Sequence, residues 1–328
     1  MVKIGIVGAG RIAQVHAKSI ANNPRAQLVA IADPVQEAGE ALANQYGVRW
    51  LADADDIFND PEVEAIIICS PTPLHVPHIL AAAKAGKPAL AEKPIAMDAA
   101  AVDQLVKDLE AYDYNIMVGF NRRFDPNFSE IHQRVEAGEI GDLEQLTIIS
   151  RDPEAPSPEY IAVSGGIFKD MTIHDFDTAA FFLGDIATVT AVGQHLDPEI
   201  AKTGDYDAVV IVLTNKDGKV ATIINNRHDA SGYDQRIEAF GREGSFIAEN
   251  QRDTTVRAYT ATATDAQGPF QHFFLERYAA AFARELDAFL QAVESGEKAS
   301  PSIADGSRAI HLAEAAEESA RTGKTVQL

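Results

Sequence analysis

Lys3-Ile4-Gly5-Ile6-Val7-Gly8-Ala9-Gly10-Arg11-Ile12-Ala13 opens the chain, and its reading decides the fold. Lys3 to Val7 is a short apolar run of strand length, and Arg11 to Asn22 has helical periodicity, with Pro24 just beyond it. Between them lies G-x-G-x-x-A. A first glycine permits a tight turn, a second lets a ligand approach the backbone, and a small sixth residue allows close packing of helix on strand. In this strand–turn–helix context the motif points to a dinucleotide whose pyrophosphate rests on free N–H groups at a helix start. Gly8, Gly10, Arg11 and Ile12 are the expected contacts. An ordinary glycine-rich turn is the competing reading, and the context disfavours it.

Strand and helix patterns then alternate. Strands are expected at Gln27 to Ala32, Ala65 to Ser70, Ala89 to Ala91 and Asn115 to Phe120. Helices are expected at Val35 to Tyr46, Val76 to Ala85 and Asp98 to Ala111. Such alternation implies βαβ units and a parallel, doubly wound sheet. Beyond residue 121 the texture changes. Strands at Leu143 to Ser150, Ile186 to His195, Asp207 to Thr214, Val220 to Asn226, Gln235 to Phe240 and Ser245 to Glu249 are flanked by helices, and Asn215-Lys216-Asp217-Gly218 signals a hairpin. The expectation is an α/β chain: a Rossmann domain over residues 1–120, then an α+β domain with an open, mainly antiparallel sheet over 121–328.

At 328 residues the chain suits two cores, and its net charge of -21 disfavours nucleic acid and anionic membrane surfaces. The one cysteine, Cys69, excludes an internal disulfide, and no Cys/His cluster has zinc spacing, so no metal is expected. The first strand starts at residue 3 and no apolar run reaches membrane-spanning length. A soluble cytoplasmic protein is expected.

Several residues carry candidate chemistry. Asp33 ends the second strand, where a carboxylate would accept bonds from the adenosine ribose and repel a 2′-phosphate, favouring NAD over NADP; it would equally cap the next helix. Ser70 and Thr72 lie in a loop at a strand's carboxyl end, where cofactors bind, and His75 is either a contact there or a helix cap. Glu92-Lys93-Pro94 follows the fourth recognised strand. Lys93 there would touch cofactor and substrate hydroxyl, or be a plain solvated lysine. If the dinucleotide serves to oxidise an alcohol, a base is needed as well, and histidine suits that role near neutral pH. Of nine histidines, His174 has the most informative neighbours, since on one helix Asp170, His174 and Asp177 would share a face. Catalysis and a helix-capping network account equally well for that spacing.

Together these stretches resemble the Gfo/Idh/MocA oxidoreductases, a family of glucose–fructose oxidoreductases, inositol dehydrogenases and relatives. The likeness covers essentially the whole chain. It rests on the glycine turn, Ala91-Glu92-Lys93-Pro94, Gly119-Phe120-Asn121-Arg122-Arg123-Phe124-Asp125, and Gly165-Gly166-Ile167-Phe168-Lys169-Asp170-Met171-Thr172-Ile173-His174-Asp175-Phe176-Asp177. The last resembles the version in inositol 2-dehydrogenases. The resemblance implies NAD-dependent oxidation of a ring hydroxyl of a cyclic polyol, with myo-inositol the first expectation and another inositol isomer or an aldose the alternatives. A non-catalytic NAD-binding sensor of the same fold is a further alternative. It also implies Lys93, Asp170 and His174 as the catalytic set, Glu92 and Lys93 beside the cofactor, and Arg123, Asp177 and Tyr233 on the polyol. A cis Lys93–Pro94 bond and a homo-oligomer, most often a tetramer built through the open sheet face, are implied as well.

Overall fold

The computed structural model describes all 328 residues. A six-stranded parallel sheet comprises β1 (Val2–Val7), β2 (Ala26–Ala32), β3 (Arg49–Leu51), β4 (Ala65–Ile68), β5 (Ala89–Ala91) and β6 (Ile116–Val118), in the order β3-β2-β1-β4-β5-β6. That is the doubly wound dinucleotide order, whose direction reverses between β1 and β4. The helices α1 (Arg11–Ala21), α2 (Gln36–Tyr46), α3 (Ala54–Asn59), α4 (His75–Lys84) and α5 (Ala99–Leu109) connect its strands. β1 and β4 are apolar almost throughout and buried, as a strand covered on both faces must be. β3 escaped the sequence reading. Three residues, Arg-Trp-Leu, at a partly exposed edge are too short to show a period.

The second sheet has seven strands in the order β12-β11-β7-β10-β9-β8-β15. In chain order the elements here are α6 (Pro126–Glu136), β7 (Leu143–Arg151), α7 (Pro158–Ser164), α8 (Gly166–Asp170), α9 (Ile173–Leu183), β8 (Ile186–Gln194), α10 (Pro198–Ala201), β9 (Ala208–Asn215), β10 (Val220–Asn226), β11 (Asp234–Gly241) and β12 (Gly244–Ala248). The short pair β13 (Arg257–Ala258) and β14 (Ala266–Gln267) and the turn of helix α11 (Phe274–Arg277) follow, then α12 (Ala279–Ser295), α13 (Ile303–Thr322) and β15 (Val326–Gln327). Only β7 and β10 run parallel; every other pairing is antiparallel. The expected hairpin joins β9 to β10, with Gly218 at φ 85° and the Asn215 amide bonded to the Lys219 carbonyl at 3.0 Å. Leu146, Ile148, Ile211, Leu213, Ile223 and Ile237 pack against Phe128, Phe176 and Ala179 to form this sheet's core. The opposite face is open: Val192, Val210, Val212, Phe240 and Ile247 are exposed.

The chain divides into two compact units: Met1–Phe124 with Ala280–His311, and Asp125–Ala279 with Leu312–Leu328. A single cut near residue 121 therefore misses a return of the chain. The reason is apolar burial. Leu286, Phe289 and Leu290 of α12 join Ile4, Ile6, Ile20 and Ile31 in one buried cluster. The apolar stripe of α12 does not announce which core it completes.

Candidate active site

The first unit builds a cradle at the carboxyl ends of its strands. Gly8 adopts φ 102°, and a Cβ there would lie 2.6 Å from the Cys69 carbonyl oxygen, so only glycine makes this turn. Gly10 caps α1 without a side chain, no acidic residue occupies the helix's first turn, and a Cβ on Gly10 would meet nothing within 4 Å. N–H groups at a helix start, beside open space and free of a competing carboxylate, are the donor set that a pyrophosphate needs. Arg11 is exposed and Ile12 half-buried on the first turn. Asp33 serves two backbone donors: Oδ2 accepts the Ala9 amide at 2.7 Å and Oδ1 the Val35 amide at 2.8 Å. It thus fixes the glycine turn and the entry to α2 together. Each oxygen retains a second lone pair for a ribose hydroxyl.

The loop after β4 is braced rather than open. Ser70 Oγ meets His78 Nδ1 at 2.9 Å, and Thr72 begins a single turn of 3₁₀ helix. His75, expected either on the cofactor or as a cap, makes no cap hydrogen bond and is engaged by two carbonyls. Its Nδ1 lies 2.7 Å from the Pro94 carbonyl and its Nε2 2.7 Å from the Ser70 carbonyl, in full burial. Burial holds its pKa below the ordinary histidine value against the pull of those two acceptors. His75 therefore ties the Ser70 loop to the segment carrying Lys93.

Glu92, expected beside the cofactor, is engaged within its own unit. Its carboxylate turns inward, with Oε1 2.7 Å from Nε2 of His16 on α1, and both residues are buried. Gly119 makes room for it, because a Cβ there would stand 3.1 Å from Glu92 Oε2. The neighbouring Lys93 is half-exposed, and the Lys93–Pro94 bond is cis. Glu285 of α12 lies fully buried in the same core with neither carboxyl oxygen hydrogen-bonded. Burial pushes its pKa well above the ordinary range and the charge of Glu92 adds to the effect. Burial, with Glu92 and Glu285, also raises the Cys69 thiol. Arg123 donates to Asp305 at 2.9 Å, and Asp305 in turn accepts from the Ser302 amide at the entry to α13.

In the second unit, Asp170 and His174 do not share a helix. α8 stops at Asp170 because both Met171 and Thr172 direct their amides to the Ile167 carbonyl, and α9 starts afresh at Ile173. His174 and Asp177 alone share α9, one turn apart. Within Met171–Ala180, His174 is the sole residue that is not buried. The start of α9 is pinned from below. Buried Asp175 accepts from Ser150 Oγ at 2.8 Å and from Asn225 Nδ2 at 2.8 Å, while Thr172 Oγ1 donates to Asn225 Oδ1 at 2.6 Å. Tyr233 is buried, its amide bonded to the Gln271 carbonyl at 2.9 Å and its ring set edge-on to Tyr278. Around Asp170 stand three residues that the sequence did not single out: Tyr160, whose hydroxyl donates to Oδ1 at 3.0 Å, and beyond it Arg227 and Asp205.

Residues 2–120 match the model of an oxidoreductase family described as an NAD-binding Rossmann fold, and residues 128–247 match the GFO/IDH/MocA C-terminal domain. This chain belongs to the GFO/IDH/MocA oxidoreductase family. It is 42% identical to an inositol 2-dehydrogenase of Rhizobium meliloti over 100% of this chain and 99% of that one. It is 33% identical to a scyllo-inositol 2-dehydrogenase (NAD(+)) of Bacillus subtilis over 100% of this chain and 96% of that one. The crystal structure of a myo-inositol dehydrogenase from Corynebacterium glutamicum superposes with a TM-score of 0.96 at 47% identity, covering 100% and 99% of the two chains. As in other GFO/IDH/MocA oxidoreductases, the cofactor is NAD, and the glycine turn before α1 has the donors and space it requires. No helix is long and apolar enough to cross a membrane.

The state of Glu285 has a measurable consequence. The unfolded chain ionises this carboxyl near 4.5, whereas the folded chain keeps the proton to higher pH. Its contribution to stability is therefore present below that value and lost as pH rises toward the folded value. Glu285→Gln, neutral throughout, escapes the loss. In urea unfolding, the stability of the variant relative to the unaltered protein should rise from about pH 4.5 to about pH 8. A difference that stays flat across that range would show that Glu285 ionises normally.

Proposed function

We propose that this chain is an NAD-dependent inositol 2-dehydrogenase that oxidises one ring hydroxyl of myo-inositol to the ketone. The substrate rests on likeness: full-length identity is higher to the inositol and myo-inositol enzymes, at 42% and 47%, than to the scyllo-inositol enzyme at 33%. The chemistry rests on one observation, the single unburied side chain of Met171–Ala180 being an imidazole.

NAD supplies the hydride acceptor. Asp33 holds the adenosine ribose and disfavours a 2′-phosphate by charge, while Gly8 shapes the turn and Gly10, Arg11 and Ile12 at the helix start seat the pyrophosphate. Ser70 and Thr72 border the cofactor. His174 accepts the hydroxyl proton as the carbon loses its hydride. Asp170 orients the imidazole and stabilises its protonated form, and the Lys93 ammonium favours the developing alkoxide. Arg123, Asp177 and Tyr233 contact the remaining hydroxyls. The protein works in the cytoplasm, where a lone buried thiol needs no oxidising partner. It assembles as a homotetramer through the open sheet face, whose exposed valines, Phe240 and Ile247 are costly to leave in water. A monomer in light scattering at micromolar concentration would rule the assembly out.

His174→Ala should lower kcat by about 10²–10⁴. NAD affinity should hold, since the cofactor's contacts belong to the other unit. Melting temperature, NAD affinity and kcat with myo-inositol, read on one preparation, check this. A folded, NAD-binding variant of near-normal kcat would end the general-base role.

A further inference from the structure

Arg227 follows β10, and its side chain is 1% exposed. Nη2 lies 3.1 Å from Asp205 Oδ2 and Nη1 lies 4.0 Å from Asp170 Oδ2, while Nε has no partner. The buried cation thus hydrogen-bonds Asp205 through one terminal nitrogen and stands within ion-pair range of Asp170 through the other. Asp205 passes the constraint on. Its Oδ1 accepts the Ile167 amide at 3.0 Å in the first turn of α8, the helix that ends at Asp170. Gly166, at φ 74°, leaves space for this contact, since a Cβ there would stand 2.8 Å from Asp205 Oδ1. Both ends of α8 are therefore referred to one guanidinium, and Tyr160 holds the other Asp170 oxygen.

Neutralising Asp205 alone would need only one contact and no link to α8. Desolvating a guanidinium is costly, and a planar fork is the side chain suited to spanning two carboxylates at once. We propose that Arg227 is a positioning residue for the oxidation: it fixes the orientation of the Asp170 carboxylate and acts on catalysis only through it. The proposal rests on the reading of Asp170 as a member of the catalytic set.

The test is a mutant cycle on kcat with myo-inositol, with NAD affinity and melting temperature read in parallel. Single removal of Arg227 would strand Asp205, so the pair is removed together as R227M/D205N. This variant should bind NAD normally and lose about 10²-fold in kcat, the cost of a misplaced catalytic group. D170N should lose at least as much, and R227M/D205N/D170N should be no slower than D170N, because groups that act through one another are not additive. A D170N enzyme of near-normal kcat would overturn the reading of Asp170 itself. A slow D170N beside a normal R227M/D205N would overturn the role of Arg227 and leave Asp170 standing. Losses that multiply in the triple variant would overturn it too, by showing that Arg227 acts elsewhere. If R227M/D205N does not fold, R227K enters the same cycle. It keeps the charge but cannot fork to both carboxylates, and the same outcomes decide.

Discussion

Gly8 stands where β1 turns toward α1, and the carbonyl of Cys69, at the end of β4, would come within 2.6 Å of any side chain placed there. β1 and β4 are the strands between which the sheet reverses its order, so this contact sits at the reversal point itself. A left-handed glycine lets the backbone leave β1 steeply enough to start a helix, and the Asp33 carboxylate then holds the Ala9 amide in place. The geometry of the turn is thereby set by contacts within the fold. The ordering entropy of the turn is met within the fold, by a left-handed residue and a charge-assisted hydrogen bond.

Behind this turn the first unit encloses an unusual amount of ionisable chemistry. His16, Glu92 and Glu285 are buried together with Cys69; His16 meets one carboxyl oxygen of Glu92, and neither oxygen of Glu285 has a hydrogen-bond partner. Burial raises the pKa of Glu285, and the charge of Glu92 adds to the effect, so the neutral carboxyl is favoured there. His75, itself buried, performs a related service in the same unit, joining the loop after β4 to the residue that follows Lys93. The segment presenting Lys93 is thus supported by the His16–Glu92 hydrogen bond on one side and the His75 imidazole on the other.

Much of the architecture was legible in the chain because it is written in short-range pattern. Apolar strands alternating with helices announced the parallel sheet, and Asn215–Gly218 announced its hairpin in the second unit. Long-range placement was not legible. The stripe on α12 is ordinary in sequence and finds its core far back in the chain. Spacing put Asp170 and His174 on one helix, whereas two amides converging on the Ile167 carbonyl end α8 between them. His75 and Glu92 look like cofactor contacts because of the loops they occupy, yet local hydrogen bonds turn both inward. Arg227, between Asn226 and His228 at a strand end, reads as a surface arginine. Only the fold reveals that it is enclosed.

In the reaction we propose, the hydrogen removed as hydride comes from carbon 2 of the inositol ring while His174 takes the hydroxyl proton. Turnover of myo-inositol deuterated at that carbon, with the reduced cofactor recovered and analysed by mass spectrometry, tests it most directly. Every turnover should deliver the deuterium to the nicotinamide ring, and kcat/KM should fall relative to the protiated substrate. Reduced cofactor that carries no deuterium would contradict it, since the bond broken would then lie elsewhere on the ring.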